Sequence, residues 1–398
     1  MNFIDLFSGC GGFSEGFYKE GFKSLLHVDF DDASCQSIKH RLGQLKYPIG
    51  EIESSVICGD LTVEQTHLEI ESVLHGKQID VLVGGPPCQS FSTVGRAQDK
   101  NSMKNDPRNY LFKRYLDILE KYRPKVFVFE NVSGLLTAKP GGNFIFPEIV
   151  RNMSEHYDVV DAPDTVLLNS VHYGVPQERK RVILIGVRKD LSFKSKDVYN
   201  SIRKTHYSPA MERSGETAGL KKYRTVKDAI SDLPKLQPGQ GSNNILFTPK
   251  SQNNYLKEIR PSKLKYLLNH VARSHNEKDQ ERYRILAKHN WQLKDLAEVR
   301  PDLVHHDPKH FGNRYTVQRF DLPGKTVVAH LYKDGNLFIH PDSSQNRTFT
   351  VREAARVQSF PDDFEFKGSR TNQFKQVGNA VPPLMASEIA RAIKLFIS

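Results

Sequence analysis

Cysteine is scarce in this chain: four occur among 398 residues, and none has Cys-x-x-Cys or Cys/His spacing. That argues against a zinc site and a disulfide framework, and it points to a reducing, intracellular setting. No apolar stretch approaches the ~20 residues of a membrane span, and the first residues lack the basic-then-apolar pattern of a signal peptide. The chain therefore reads as cytoplasmic, with no membrane partner. Acidic residues are also in deficit, with 46 Asp+Glu against 57 Lys+Arg and a formal net charge of +11. The deficit is local: residues 189–346 hold 28 basic and 17 acidic side chains, while the remainder holds 29 of each. A basic block beside a neutral one suggests a polyanion partner, because each neutralised phosphate releases counterions. The length suffices for two domains, each with its own core.

The first 188 residues alternate between strand-like and helix-like runs. Strands are predicted at Phe3 to Phe7, Ser24 to Asp29, Val56 to Asp60, Ile79 to Val83, Lys125 to Glu130 and Arg181 to Gly186. Helices are predicted at Ser14 to Lys19, Ser34 to Leu42 and Asn109 to Tyr122. This order implies an α/β fold with a mostly parallel sheet covered on both faces. Gly9-Cys10-Gly11-Gly12 follows the first strand, where glycines permit a tight turn and close approach to a ligand. It lacks the spacing of a dinucleotide fingerprint, so a pyrophosphate cofactor is not favoured. Asp29 and Asp60 end the second and third strands, positioned to bind ribose hydroxyls and an adenine amino group; either could equally be a capping residue.

Gly84-Gly85-Pro86-Pro87-Cys88-Gln89-Ser90-Phe91-Ser92 follows an apolar strand. The prolines stiffen the backbone at φ of about −65°, so Cys88 is presented from a rigid loop where open α/β sheets bind ligands. Read alone, Cys88 is as readily a small buried hydrophobe as a nucleophile; Cys10, Cys35 and Cys58 are expected to be of the inert, buried kind. Glu130 ends a strongly apolar strand, and adjacent strand ends converge, so it can lie near Cys88 although 42 residues away. Partial desolvation should raise its pKa toward values useful for proton donation. Alternation along Gln177-Glu178-Arg179-Lys180-Arg181 puts Gln177, Arg179 and Arg181 on one face, either as a guanidinium pair for a carbonyl oxygen or phosphate, or as a surface salt-bridge strand.

Six segments then occur in a telling order: Asp5-Leu6-Phe7-Ser8-Gly9-Cys10-Gly11-Gly12-Phe13, Gly85-Pro86-Pro87-Cys88-Gln89-Ser90-Phe91-Ser92, Glu130-Asn131-Val132, Gln177-Glu178-Arg179-Lys180-Arg181, Arg352 to Asp362, and Gln376-Val377-Gly378-Asn379-Ala380-Val381-Pro382-Pro383. With them the chain resembles the cytosine-C5 DNA methyltransferase family of bacterial restriction-modification type. The resemblance implies a doubly wound, Rossmann-like sheet domain over 1–188, completed by 370–398 with an apolar helical face at Leu384, Ile389, Ile393 and Phe396. It also implies a small, irregular target-recognition domain over 189–346 and a hinge over 347–369. The basic block coincides with the recognition domain.

The same resemblance implies a mechanism. Cys88 would add to C6 of a cytosine flipped out of duplex DNA, Glu130 would act at N3 and the exocyclic amine, and Arg179 and Arg181 would serve the O2 side. Phe7, Gly9, Gly11, Asp29, Phe30, Asp60, Pro87 and Asn379 would bind S-adenosyl-L-methionine, leaving S-adenosyl-L-homocysteine as product, with no metal. Gln89, Ser92, Gln177, Arg314, Arg319 and Thr326 would contact double-stranded DNA, and the stretch Tyr255 to His289 is expected to be a helical insertion flanking it. A monomer is expected, with any cognate restriction endonuclease acting independently. Methyltransferases acting on amino groups carry Asn/Asp/Ser-Pro-Pro and an aromatic residue where this chain has Gly-Pro-Pro-Cys. The transfer-RNA branch carries Cys-Phe-Thr, whereas all four cysteines here precede residue 89 and none is followed by Phe. That branch, and a catalytically inactive DNA-binding homologue, are the alternatives.

Overall fold

A computed structural model describes residues 1–87, 111–248, 253–304 and 314–398. They form two compact units. The first comprises Met1–Tyr173, Lys180–Lys204 and Val381–Ser398, and the second comprises Gly174–Arg179 and Thr205–Ala380. Residues 189–204 thus belong with the sheet, while 370–380 belong with the second unit.

The sheet of the first unit is built from β1 (Asn2–Leu6), β2 (Lys23–Asp29), β3 (Val56–Cys58), β4 (Val81–Gly84), β5 (Val126–Val132), β6 (Tyr157–Val159), β7 (Leu167–Asn169) and β8 (Lys180–Arg188). Its order is β3-β2-β1-β4-β5-β8-β6, with β7 also paired to β8. Strands β1 to β5 run parallel. Strand β8 runs antiparallel to β5, β6 and β7. Val81, Leu82, Val83 and Val126 to Phe129 have no exposed surface. Central strands covered on both faces carry continuous apolar runs rather than alternation, as this sequence does. At Gly186 a Cβ would lie 2.0 Å from the Phe127 ring, so the antiparallel partner of Phe127 must be glycine.

Helix α1 (Gly12–Lys19) buries Phe13 and Phe17, and α2 (Asp32–Gln44) is capped by Asp31, whose side chain accepts from Ser34 N at 3.0 Å. The helix Pro383–Ile397 starts behind Pro382, with proline at its first position. It buries Leu384, Ile389 and Ile393, and Phe396 stacks on Phe193 at 5.0 Å between ring centroids. This helix meets α1 backbone to backbone: a Cβ on Gly16 would lie 2.4 Å from Ser387 N and 2.5 Å from Ala386 Cβ. The last residues of the chain therefore pack directly on its first helix.

The second unit contains a two-stranded antiparallel sheet, β9 (Gly241–Leu246) with β10 (Tyr266–Val271). The expected helical insertion over 255–289 is therefore corrected. It is a helix Asn254–Ile259, the strand β10 and a helix Glu277–His289. Half-buried β10 finds ladder partners in β9, which the local richness in Lys and Arg concealed. Tyr283, Leu286, Leu293, Leu296, Leu303, Tyr315 and Ile339 form one of its hydrophobic clusters. Buried ion pairs brace it further: Arg347 binds Glu353 through two nitrogens at 2.7 and 2.8 Å, and Arg356 binds both Asp362 and Asp232. Arg224, Arg273 and Arg282 are also buried, so part of the basic surplus is spent inside the fold. Among the described residues, no helix is long and apolar enough to cross a membrane.

Candidate active site at the strand ends

Because β1 to β5 are parallel, their C-terminal ends share one edge, and strand order reverses between β1 and β4. That switch point is where open α/β sheets take ligands. The turn leaving β1 is held in left-handed backbone conformation at Phe7 (φ 55), Gly9 (φ 53) and Gly11 (φ 89). Such a conformation in a residue with a side chain, Phe7, is strain that the surrounding fold must support. The support is visible. Gly9 N donates to Asp29 Oδ2 at 2.7 Å, Asp31 N donates to Asp29 Oδ1 at 2.9 Å, and Ser8 N donates to Val28 O at 3.1 Å. Asp29 thereby ties the β1 turn to the β2 turn, and desolvation pushes its pKa up to about 6 against these hydrogen bonds.

Space lies open in front of this turn, since a Cβ built on Gly9 would meet nothing within 4 Å. Phe30 follows Asp29 and is 73% exposed, an unusual state for so large an apolar ring. Asp60 is exposed beyond β3, its Oδ1 held by Thr62 N and Thr62 Oγ1, each at 2.8 Å. An open glycine turn, two strand-end carboxylates and an exposed ring suit a ligand with an aromatic base and a sugar. Beneath the turn lies a buried polar network: Ser14 Oγ donates to Asp5 Oδ2 at 2.7 Å, and Tyr18 Oη lies 2.8 Å from His27 Nε2. Burial pushes Asp5 up to about 8 and His27 down to about 3, so both are neutral at pH 7.

The second half of the site is built on β4, β5 and β8. Glu130 sits opposite Ile183 and Val132 opposite Arg181, which makes Glu130 and Arg181 diagonal neighbours on one face of the ladder. Arg181 Nε lies 2.8 Å from Glu130 Oε1, both side chains being mostly buried. Burial lowers the Arg181 pKa while the Glu130 charge opposes the fall. The loop leaving β4 is tied to the same place. Asn131 Nδ2 donates to Pro86 O at 3.2 Å, and a Cβ on Gly85 would lie only 2.8 Å from Glu130 Oε2. Pro86 is buried and Pro87 half-buried. Cys88, Gln89 and Ser92 lie outside the described residues.

Sequence reasoning missed Asn131 and Gly85 as positioning residues; both stood within quoted segments, yet only the packing reveals what they do. It placed Gln177 at the DNA, whereas Gln177 is fully buried. Its Oε1 accepts from Val327 N at 2.8 Å and its Nε2 donates to Gln358 Oε1 at 2.6 Å. Arg179 is likewise buried, donating to Val327 O at 2.6 Å and to Gly378 O at 3.0 Å. These two side chains hold the loop of the second unit that carries Thr326, whose hydroxyl donates to Glu178 O at 2.7 Å. Arg314 lies 3.7 Å from Asp334, and Arg319 pairs with Asp321 through Nε and Nη2; both arginines keep more than a third of their surface in solvent. Asn379 is the exposed last residue of the helix Arg370–Asn379 in the second unit. Cys10 and Cys35 are buried as expected, but Cys58 is exposed, because it ends a three-residue strand at the edge of the sheet.

A family model for C-5 cytosine-specific DNA methylases matches residues 1–395. The chain is 36% identical to the type II methyltransferase M.Bpa9945I of Bacillus paralicheniformis, over 99% of this chain and 98% of that protein. It is 32% identical to the type II methyltransferase M.DdeI of Desulfomicrobium norvegicum, over 100% of this chain and 89% of that one. Among solved structures it shares its fold with a protein described as a DNA modification methyltransferase encoded within an E. coli prophage. That match has a TM-score of 0.69 and 23% identity, and it covers 100% of this chain and 99% of the other.

Proposed function

The chain belongs to the C-5 cytosine-specific DNA methylase family, and from that premise we propose that it methylates C5 of a cytosine flipped out of a specific duplex sequence, through a covalent bond from Cys88 to C6. The observation that carries the reading is the convergence of the Gly85-Pro86 loop on the Glu130–Arg181 pair. Cytosine C5 is a poor nucleophile. Addition of the Cys88 thiolate at C6 breaks the C5–C6 double bond and makes C5 enamine-like. Charge then develops toward N3, where Glu130 is the group within the loop's reach. Arg181 keeps that carboxylate in one orientation through a fixed guanidinium contact, which a flexible lysine would hold less well. Once C5 carries the new methyl group, loss of its proton and expulsion of Cys88 restore the ring.

S-adenosyl-L-methionine supplies an electrophilic methyl group when bound. The residues suited to hold it in the first unit are Phe7, Gly9 and Gly11 at the open turn, Asp29 for ribose, Phe30 against the adenine ring, Asp60 for its amino group, and Pro87 beside the nucleophile. Within the second unit, exposed cations such as Arg314 and Arg319 are suited to phosphates, since their surface ion pairs cost little to break. Taking a base out of the stack costs a few kcal/mol, which these backbone contacts must offset. The test is transfer of labelled methyl groups to duplex DNA by the native protein and by Cys88→Ala, with mapping of the methylated cytosines after expression in an unmethylated host.

A further inference from the structure

Cys58 differs from the buried Cys10 and Cys35 in being exposed. β3 pairs with β2 so that Cys58 sits opposite Asp29. Its Sγ reaches the carbonyl of Phe30 at 4.0 Å, while Cys35 Sγ, on α2, reaches the carbonyl of Asp29 at 3.5 Å. Both sulfurs thus rest on consecutive carbonyls of the turn that presents Asp29 and Phe30. We propose that Cys35 and Cys58 form an oxidisable dithiol that closes to a disulfide under peroxide and, in closing, displaces the Asp29-Phe30 turn.

The chemistry balances with hydrogen peroxide as oxidant. The exposed Cys58 sulfur, as thiolate, attacks one peroxide oxygen and breaks the O–O bond. Cys58 becomes a sulfenic acid, and the departing hydroxide takes up the thiol proton as water. Cys35 sulfur then attacks the sulfenic sulfur, forming the S–S bond, and its proton leaves with the displaced hydroxide as a second water. Cys58 is oxidised first because it is accessible; Cys35, whose thiol burial holds in the protonated form, is the resolving partner. Drawing the two sulfurs to bonding distance takes both off the carbonyls they now touch. The consequence for cofactor binding rests on the roles of Asp29 and Phe30 proposed above; formation of the disulfide does not.

The test uses the full chain with Cys88→Ser, which removes the nucleophile as a competing thiol. Hydrogen peroxide is titrated in, free thiols are alkylated, and peptides are mapped by mass spectrometry. S-adenosyl-L-homocysteine affinity is measured by calorimetry before oxidation, after it, and after reduction with dithiothreitol. The expected result is a Cys35–Cys58 linked peptide as the main product and affinity weakened about tenfold, the worth of one charge-assisted hydrogen bond. Reduction restores it, and a Cys58→Ser version shows neither change. Cys58 driven to sulfinic acid with Cys35 still alkylatable would overturn the dithiol. A linked peptide with unchanged affinity would overturn the coupling to the turn. If the untreated protein binds no cofactor product at all, the assignment of Asp29 and Phe30 fails, and the linked peptide alone decides the dithiol.

Discussion

Arg181 Nε and Glu130 Oε1 lie 2.8 Å apart across an antiparallel ladder, two residues out of register. The geometry exists because β8 runs against its neighbour, so the start of one strand meets the end of the other. Had β8 continued the parallel sheet, Arg181 would begin its strand at the opposite edge. The pair therefore depends on topology as much as on residue type. Replacing Glu130 by Gln should lower methyl transfer about a hundredfold, the usual scale for a positioned acid–base group, while duplex affinity changes far less. Single-turnover transfer and equilibrium DNA binding, measured side by side, check this. Equal losses in both would make Glu130 a structural residue.

Gly85→Ala tests how the loop leaving β4 is seated. Its new Cβ would fall 2.8 Å from Glu130 Oε2, so the carboxylate must swing aside. Misplacement of that order should cost transfer about tenfold or more with the melting temperature almost unchanged. A large loss of stability with normal turnover in the folded fraction would contradict it.

Gly16→Ala is the complementary case. Here the obstacle is backbone and Cβ of the helix Pro383–Ile397, which cannot rotate away. Denaturant melts should show destabilisation of about 1–3 kcal/mol, the range for overpacking a tight contact. A neutral substitution would mean that the two helices separate easily.

Asp5 and Asp29 give a pH signature. Both titrate above the ordinary 3.8, near 8 and 6 respectively, because burial disfavours the charged form. The native state therefore holds protons that the unfolded chain has lost. Their contribution to stability is fully present below about pH 4 and is lost as pH rises, through about 6 for Asp29 and about 8 for Asp5. Subtracting the stability of Asp5→Asn from that of the native protein at each pH isolates the Asp5 term, which should become less favourable between about pH 5 and 8. A difference that stays flat or becomes more favourable contradicts the burial argument. Affinity for S-adenosyl-L-homocysteine should weaken below about pH 6 as the Asp29 carboxylate is neutralised.

Six of the eight strands of the sheet were legible because their apolar runs are continuous, and Asp29 marked the end of β2; the three-residue β6 and β7 were not expected, and β5 runs on past Glu130 to Val132. Glycine at 9 and 11 was legible from the turn it had to make. What the sequence concealed depends on partners far along the chain. Gln177 and Arg179 share a face with Arg181 only in an ideal extended strand. In the structure the chain passes from one unit to the other between Arg179 and Lys180, and the first two side chains serve Val327, about 150 residues away. The charge count concealed burial: Arg273 spends its guanidinium on the carbonyls of Leu331, Tyr332 and Lys333 and is not surface charge. Cysteine type alone could not separate Cys35 from Cys58, since edge position decides exposure.

The central claim is a covalent, Cys88-dependent methylation of cytosine C5, and the most direct measurement is transfer of a labelled methyl group from S-adenosyl-L-methionine to duplex DNA by native and Cys88→Ala protein. The account predicts label in 5-methylcytosine with the native protein and none with the variant, at equal DNA binding. No transfer by the native protein to any duplex, or equal transfer by the variant, would contradict it.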